Sequence, residues 1–146
     1  MMTCTFFGHK NTPDSIKPLL EETLTDLIEN HGADKFYVGD SGSFDRMAAA
    51  VLQKLKEKYP HIKYCVVLAY LPNDGIQLPY PTEFPEGIEN IMSRLAINYR
   101  NKYMMNKADT VITYITHDWG GAAKFAGKAK RKGKNMIHLS GANIDL

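Results

Sequence analysis

The sequence predicts a single α/β domain, a three-layer sandwich in which a mostly parallel five-stranded sheet carries helices on both faces. Three observations predict it. Short apolar, β-rich runs alternate with helical periodicities along the 146 residues, and such alternation implies right-handed crossovers and a parallel sheet. The run from Cys65 to Leu71 is apolar without polar alternation, as in a strand covered on both faces. Three strand-to-helix junctions are rich in glycine or small polar residues, and ligands of such sheets bind at that edge.

Thr3 to Phe7 is the first strand and ends at Gly8-His9-Lys10. Ile16, Leu19, Leu20, Leu24, Leu27 and Ile28 then repeat at helical spacing. Ser15 is the expected N-cap, Pro18 falls in the first turn where its missing N–H does no harm, and Gly32 is the stop. Lys35 to Val38 is the second strand, followed by Gly39-Asp40-Ser41-Gly42-Ser43. A helix from about Phe44 places Met47, Val51, Leu52 and Leu55 on one face and ends before Pro60; Ile62 to Tyr70 is the third strand. From Leu71 to Glu89 come Pro72, Pro79, Pro81 and Pro85 with Tyr80 and Phe84. A loop of this length is a lid, a binding loop or a disordered excursion. A helix follows over roughly Ile91 to Lys107, then a fourth strand from Thr110 to Thr116 and the junction His117-Asp118-Trp119-Gly120-Gly121. The last helix runs to about Lys132, Gly133 stops it, and Asn135 to Leu139 is the fifth strand. The pattern is Rossmann-like and fills residues 1–146 as one domain.

Composition bounds the function. With 44% hydrophobic and 23% charged residues the chain is an ordinary globular domain. A net charge of +2 does not by itself imply a nucleic-acid partner. Cys4 and Cys65 lie in apolar strands and read as reduced core residues. The start, MMTCTFFGHK, lacks the apolar stretch of a signal peptide, and no run approaches a membrane span. A cytoplasmic location and no membrane association are expected. His31, His61 and His138 fall apart in the pattern, so no metal is expected, nor any cofactor.

The candidate ligand site is the three junctions: Gly8, His9 and Lys10; Gly39, Asp40, Ser41, Gly42 and Ser43, with Asp45 just beyond; and Thr116, His117, Trp119, Gly120 and Gly121. Glycines there admit close backbone approach, and the N–H groups opening the next helix seat phosphate. Neither GxGxxG nor the P-loop pattern is present, so neither NAD nor ATP is assigned. His9 and His117 contact phosphate or base, or are polar turn residues. Trp119 stacks on a base, or closes the core or an interface.

The C-terminal half reads Arg100-Asn101-Lys102-Tyr103-Met104, then Ala108-Asp109-Thr110-Val111-Ile112, then Gly120-Gly121. This resembles the R-x-x-x-M … D … GG pattern of the SLOG superfamily, which includes the LOG cytokinin-activating phosphoribohydrolases, the DprA-like proteins and small bacterial proteins of the YpsA type. Gly8-His9-Lys10 and the segment from Gly39 to Asp45 are similar to the YpsA-type members. The resemblance implies a site for a nucleotide or nucleotide-derived ligand, sensed or sequestered there. It makes Arg100 a phosphate-binding residue, or a catalytic one if the chain is a hydrolase, the alternative being an exposed helix residue. Arg94 and Asn101 join the candidate set on the same helix. In the LOG branch a glutamate supports cleavage of nucleoside monophosphates; the matching position is Gly127. Asp40, Asp45, Asp118, Glu83 and Glu86 are the carboxylates that would stand in. Single-strand binding through Lys124, Lys128, Lys130, Arg131, Lys132 and Lys134 is the less favoured alternative. Relatives commonly pair, and Tyr99, Tyr103 and Met105 are the expected face of a homodimer or higher homo-oligomer.

Overall fold

In the computed structural model, which describes residues 1–71 and 78–140, the apolar runs become strands β1 (Met2–Gly8), β2 (Ala33–Val38), β3 (Lys63–Val67), β4 (Thr82–Glu83), β5 (Thr110–Tyr114) and β6 (Asn135–His138). All pair in parallel, in the order β4-β3-β2-β1-β5-β6. The helices are α1 (Lys17–Asn30), α2 (Ser43–Lys58), α3 (Ala96–Lys107) and α4 (Gly121–Arg131). Of the proline-rich segment, Pro72 and its neighbours to position 77 lie outside the described residues.

α1 buries Leu20, Leu24, Leu27 and Ile28, and α2 buries Met47, Val51, Leu52 and Leu55, so these two stripes form one layer with β1 and β2. Met104, Met105, Phe125 and Ala129 form the core of the opposite layer, where α3 packs on α4. Cys4 and Cys65 are free thiols buried between the layers. Burial pushes them up to about 12 and about 11, so neither is a ready nucleophile.

Several expectations shift. The sheet has six strands because Pro81 O and Glu83 O accept from Val66 N–H and Leu68 N–H, adding a two-residue edge strand. A proline beside an edge strand costs no ladder bond there. Ser15 is not the N-cap of α1: it lies in a 3₁₀ turn, Asp14–Ile16, and Ile16 occupies the cap position. The helix expected from Ile91 begins as a separate 3₁₀ turn, Ser93–Leu95, before α3. Tyr99, Tyr103 and Met105 are also less open than expected, the tyrosines half-buried and the methionine buried. Met105 is buried on Phe125's side of the core, the Tyr103 hydroxyl donates to Glu83, and the Tyr99 hydroxyl donates to the Glu86 carbonyl. These tyrosines fasten the proline-rich segment to α3.

The order of strands makes the site. The chain steps from β1 to β2 to β3 in one direction and returns on the other side as β5 and β6. The crevice at that reversal, between the ends of β1 and β5, is where an open parallel sheet takes its ligand.

Candidate functional site

A cleft of about 600 Å3 opens at that reversal. Gly8, His9 and Lys10 line it from the end of β1, Ser41 and Asp45 from the start of α2, Arg100 and Asn101 from α3, and Thr116, His117, Trp119, Gly120 and Gly121 from the end of β5. Twelve of the expected site residues thus share one cleft. Gly39, Asp40, Gly42 and Ser43 stand behind this lining and shape it. Arg94 is not brought in: it sits exposed in the turn before α3, its guanidinium near Met92 Sδ. No described residue of the 71–89 segment lines the cleft.

The junctions after β1 and β2 are knitted together. Ser43 N–H donates to Lys10 O at 2.9 Å, and Ser43 Oγ donates to Thr12 O at 3.0 Å. Gly42 adopts φ +106°, and a Cβ there would lie 2.6 Å from Lys10 Cα. Glycine is required at this crossing, since both the backbone angle and the approach exclude a side chain.

Arg100 is 1% exposed, which removes the reading of a solvated helix residue. Its Nε donates to Asn101 Oδ1 at 3.0 Å, Nη2 to Ser41 Oγ at 2.9 Å, and Nη1 to Asp40 Oδ1 and to Val67 O. A guanidinium has five N–H donors, and these four contacts leave one, on Nη2. Arg100 therefore has no fork free for a bidentate grip on phosphate in this arrangement; it is spent on holding the loop after β2. Gly39 accommodates it, since a Cβ there would stand 2.8 Å from Asp45 Oδ2 and 3.1 Å from Arg100 Cζ. Arg100→Lys keeps the charge opposite Asp40 but loses the bonds to Asn101 and Ser41. At roughly 1 kcal/mol net per bond, urea unfolding is expected to show a loss of about 2 kcal/mol.

Asp45, at the third position of α2, accepts from Ser41 N–H at 2.9 Å and is buried. Burial pushes its carboxyl up to about 6, against the opposing pull of the Ser41 hydrogen bond and Arg100. A carboxyl so perturbed inside a cleft is able to exchange a proton near neutral pH. Gly127, where the resemblance asks for a glutamate, is buried in α4.

The opposite wall is aromatic. His117 stacks between His9 and Trp119, with centroids 3.7 Å apart at both steps and planes tilted by 15° and 14°. His9 Nε2 accepts from Thr116 N–H at 2.9 Å, so this ring is neutral with its proton on Nδ1; burial and then His117 hold it below the ordinary histidine range. His117 Nδ1 is buried without a hydrogen-bond partner among the described residues. Trp119 ends the stack 68% exposed, so it closes no core. Beside it Gly120, at φ +95°, turns the chain into α4, which no side chain caps. A Cβ on Gly121 would meet nothing within 4 Å. The first N–H groups of α4, with no side-chain cap among the described residues, lie at the positive end of an 11-residue helix.

This three-ring stack was not legible in the sequence, because His9 and His117 are 108 residues apart and meet only through the β1–β5 pairing, Gly8 opposite Tyr114. Among the described residues no cluster of histidine, cysteine and carboxylate side chains suits a metal. No described helix is long and apolar enough to cross a membrane.

No family model matches the chain, and no curated protein matches it. Among solved structures it is similar to DNA processing protein A (DprA) from Streptococcus pneumoniae, with a TM-score of 0.72 and 13% identity over 99% of this chain. The chain spans about half, 52%, of the length of that protein. At this identity the likeness establishes the Rossmann-like fold.

Proposed function

We propose that the chain binds a nucleotide or nucleotide-derived ligand in the cleft, sensing or sequestering it, with a heterocycle on the open face of Trp119 and an anionic group at the start of α4. The observation that carries this reading is the His9–His117–Trp119 stack, which ends in an exposed indole next to uncapped helix N–H groups. An anion suits the helix terminus, and a planar base continues the stack. The buried His117 Nδ1, unpartnered among the described residues, adds a polar atom that a ligand would satisfy.

The test begins with the purified protein, denatured to release any bound small molecule for mass spectrometry. Calorimetry then measures the return of that molecule, or of a panel of nucleotides, to the apo protein. Trp119→Ala removes a stacking surface worth about 1–3 kcal/mol per base, so a weakening of about tenfold or more is expected. Unchanged affinity overturns the placement. A second reading, a phosphoribohydrolase, is favoured by one observation, the Asp45 carboxyl in the cleft with its raised pKa. Free base and ribose 5-phosphate appearing from nucleoside monophosphates would establish it; intact ligand would remove it for the compounds tried.

A further inference from the structure

The net charge of +2 hides a strong division. α3 and the stretch 121–134 hold nine of the 18 basic residues and none of the 16 acidic ones, so the rest of the chain carries a net charge of −7. Arg100 is buried in the cleft, but six of the others are exposed, and Lys128 and Lys134 are half-buried. Lys102, Lys128, Arg131 and Lys132 converge on a groove of about 450 Å3 floored by Met105. No carboxylate of the described residues lines it. Among the described residues the Lys132 amine finds only the Asn106 amide oxygen, and Lys128 lies over the Phe125 ring. None of the ion pairs among the described residues involves these cations.

The complementary feature is on the same molecule. α1 carries Glu21, Glu22, Asp26 and Glu29 against one lysine, Lys17. Glu22, Asp26 and Glu29 border a second groove, of about 600 Å3, where Leu19 is an exposed apolar side chain. α1 packs with α2 on one face of the sheet, and α3 with α4 on the other. The two grooves therefore belong to opposite layers, and one copy cannot join them.

We infer that the α3/α4 groove docks on the α1 groove of a second copy of this chain. The contact is head-to-tail, so both grooves stay unfilled at the ends of any open assembly, which grows unless its rotation closes a ring. Charge complementarity steers the encounter and fixes the orientation, while lysine stems and Leu19 supply the apolar contact. A nucleic-acid strand is the competing occupant of the basic groove. It is disfavoured because the aromatic rings there are covered: Phe125 is buried and Tyr103 lies beneath Lys107, leaving no platform for base stacking.

Sedimentation of the full chain over a range of concentrations tests this. The average mass should rise with concentration at about 0.01 M salt and fall back toward the monomer at about 1 M, where the screening length is only about 3 Å. Lys128→Glu with Arg131→Glu, or Glu22→Lys with Asp26→Lys, should each weaken association at least about tenfold. Mixing those two variants opposes acidic and basic faces again and should restore a mixed complex. A wild-type chain that stays monomeric at low salt overturns the inference, whether or not an oligonucleotide then binds the groove. Folded variants that fail to associate when mixed also overturn it. If either pair does not fold by circular dichroism, Lys102→Glu with Lys132→Glu, or Glu22→Lys with Glu29→Lys, takes its place. Calorimetry with the cleft ligand should be unchanged in all four, since none of these residues lines the cleft.

Discussion

Gly8→Ala is expected to destabilise the protein by at least about 3 kcal/mol, the upper end of what overpacking costs. A Cβ on Gly8 would lie 2.3 Å from both Cγ and Cδ2 of Phe44 and 2.8 Å from its Cβ. Phe44 has nowhere to retreat: it is fully buried and packs edge-on against Phe6, itself 1% exposed and stacked on Phe36. Relief requires moving the start of α2 away from the end of β1, and that junction is fixed by Ser43 N–H on Lys10 O. The strain falls on the cleft, because Gly8 and its neighbour His9 both line it. Urea unfolding should therefore show a lowered midpoint with an unchanged slope. Stability within about 0.5 kcal/mol of wild type would mean that the β1–α2 approach is looser than described.

The same close approach shows what a sequence conceals. The glycine at position 8 is legible as a turn residue, and the alternation of strands and helices is legible because each helix buries one periodic stripe, such as Leu20, Leu24, Leu27 and Ile28. That Phe44 fills the space over Gly8 is a fact of packing between separate elements. β4 was hidden because a two-residue edge strand has no periodicity, and the prolines around it argue for a loop. The partners of Arg100 were hidden for a different reason. Asp40 and Ser41 read as turn residues, and only the fold brings them to the arginine that binds them, 60 and 59 positions further along the chain. Tyr99 and Tyr103 read as an open face because the proline-rich segment that takes up their hydroxyls has no helical or strand signature of its own.

Local signals thus located the cleft, and long-range pairing decided what each residue does in it. Arg100 entered as a candidate for phosphate and is, in the fold, the clamp on the loop after β2. The aromatic wall took the opposite course. Two turn histidines and a tryptophan, each with a bland explanation, become one surface through the parallel pairing of β1 and β5.

Asp45→Asn is expected to stabilise the protein at neutral pH, by up to about 3 kcal/mol. The carboxyl lies at about 6 in the folded chain against an ordinary value of 3.8, with burial the largest cause. A shift of this size corresponds to about 3 kcal/mol. Between those two values the folded state holds a proton that the unfolded state has released, so wild-type stability falls as pH rises through that window and stays low above it. The asparagine variant carries no such charge. Its unfolding free energy should exceed that of wild type at pH 7, and the two should converge as pH drops toward 4. Asn Oδ1 can still accept from Ser41 N–H, so the loop keeps its anchor. An ionised carboxylate retained in a buried cleft at a cost in stability is what a functional acid or base looks like. The variant therefore separates two roles. If Asp45 only shapes the loop, ligand affinity should stay close to wild type while stability rises. If it exchanges a proton with the bound ligand, affinity or turnover should fall and lose its dependence on pH near 6. Denaturation between pH 4 and 8, run beside calorimetry at the same pH values, reads both; a variant less stable than wild type at pH 7 would show that the buried carboxylate is better compensated than its raised pKa implies.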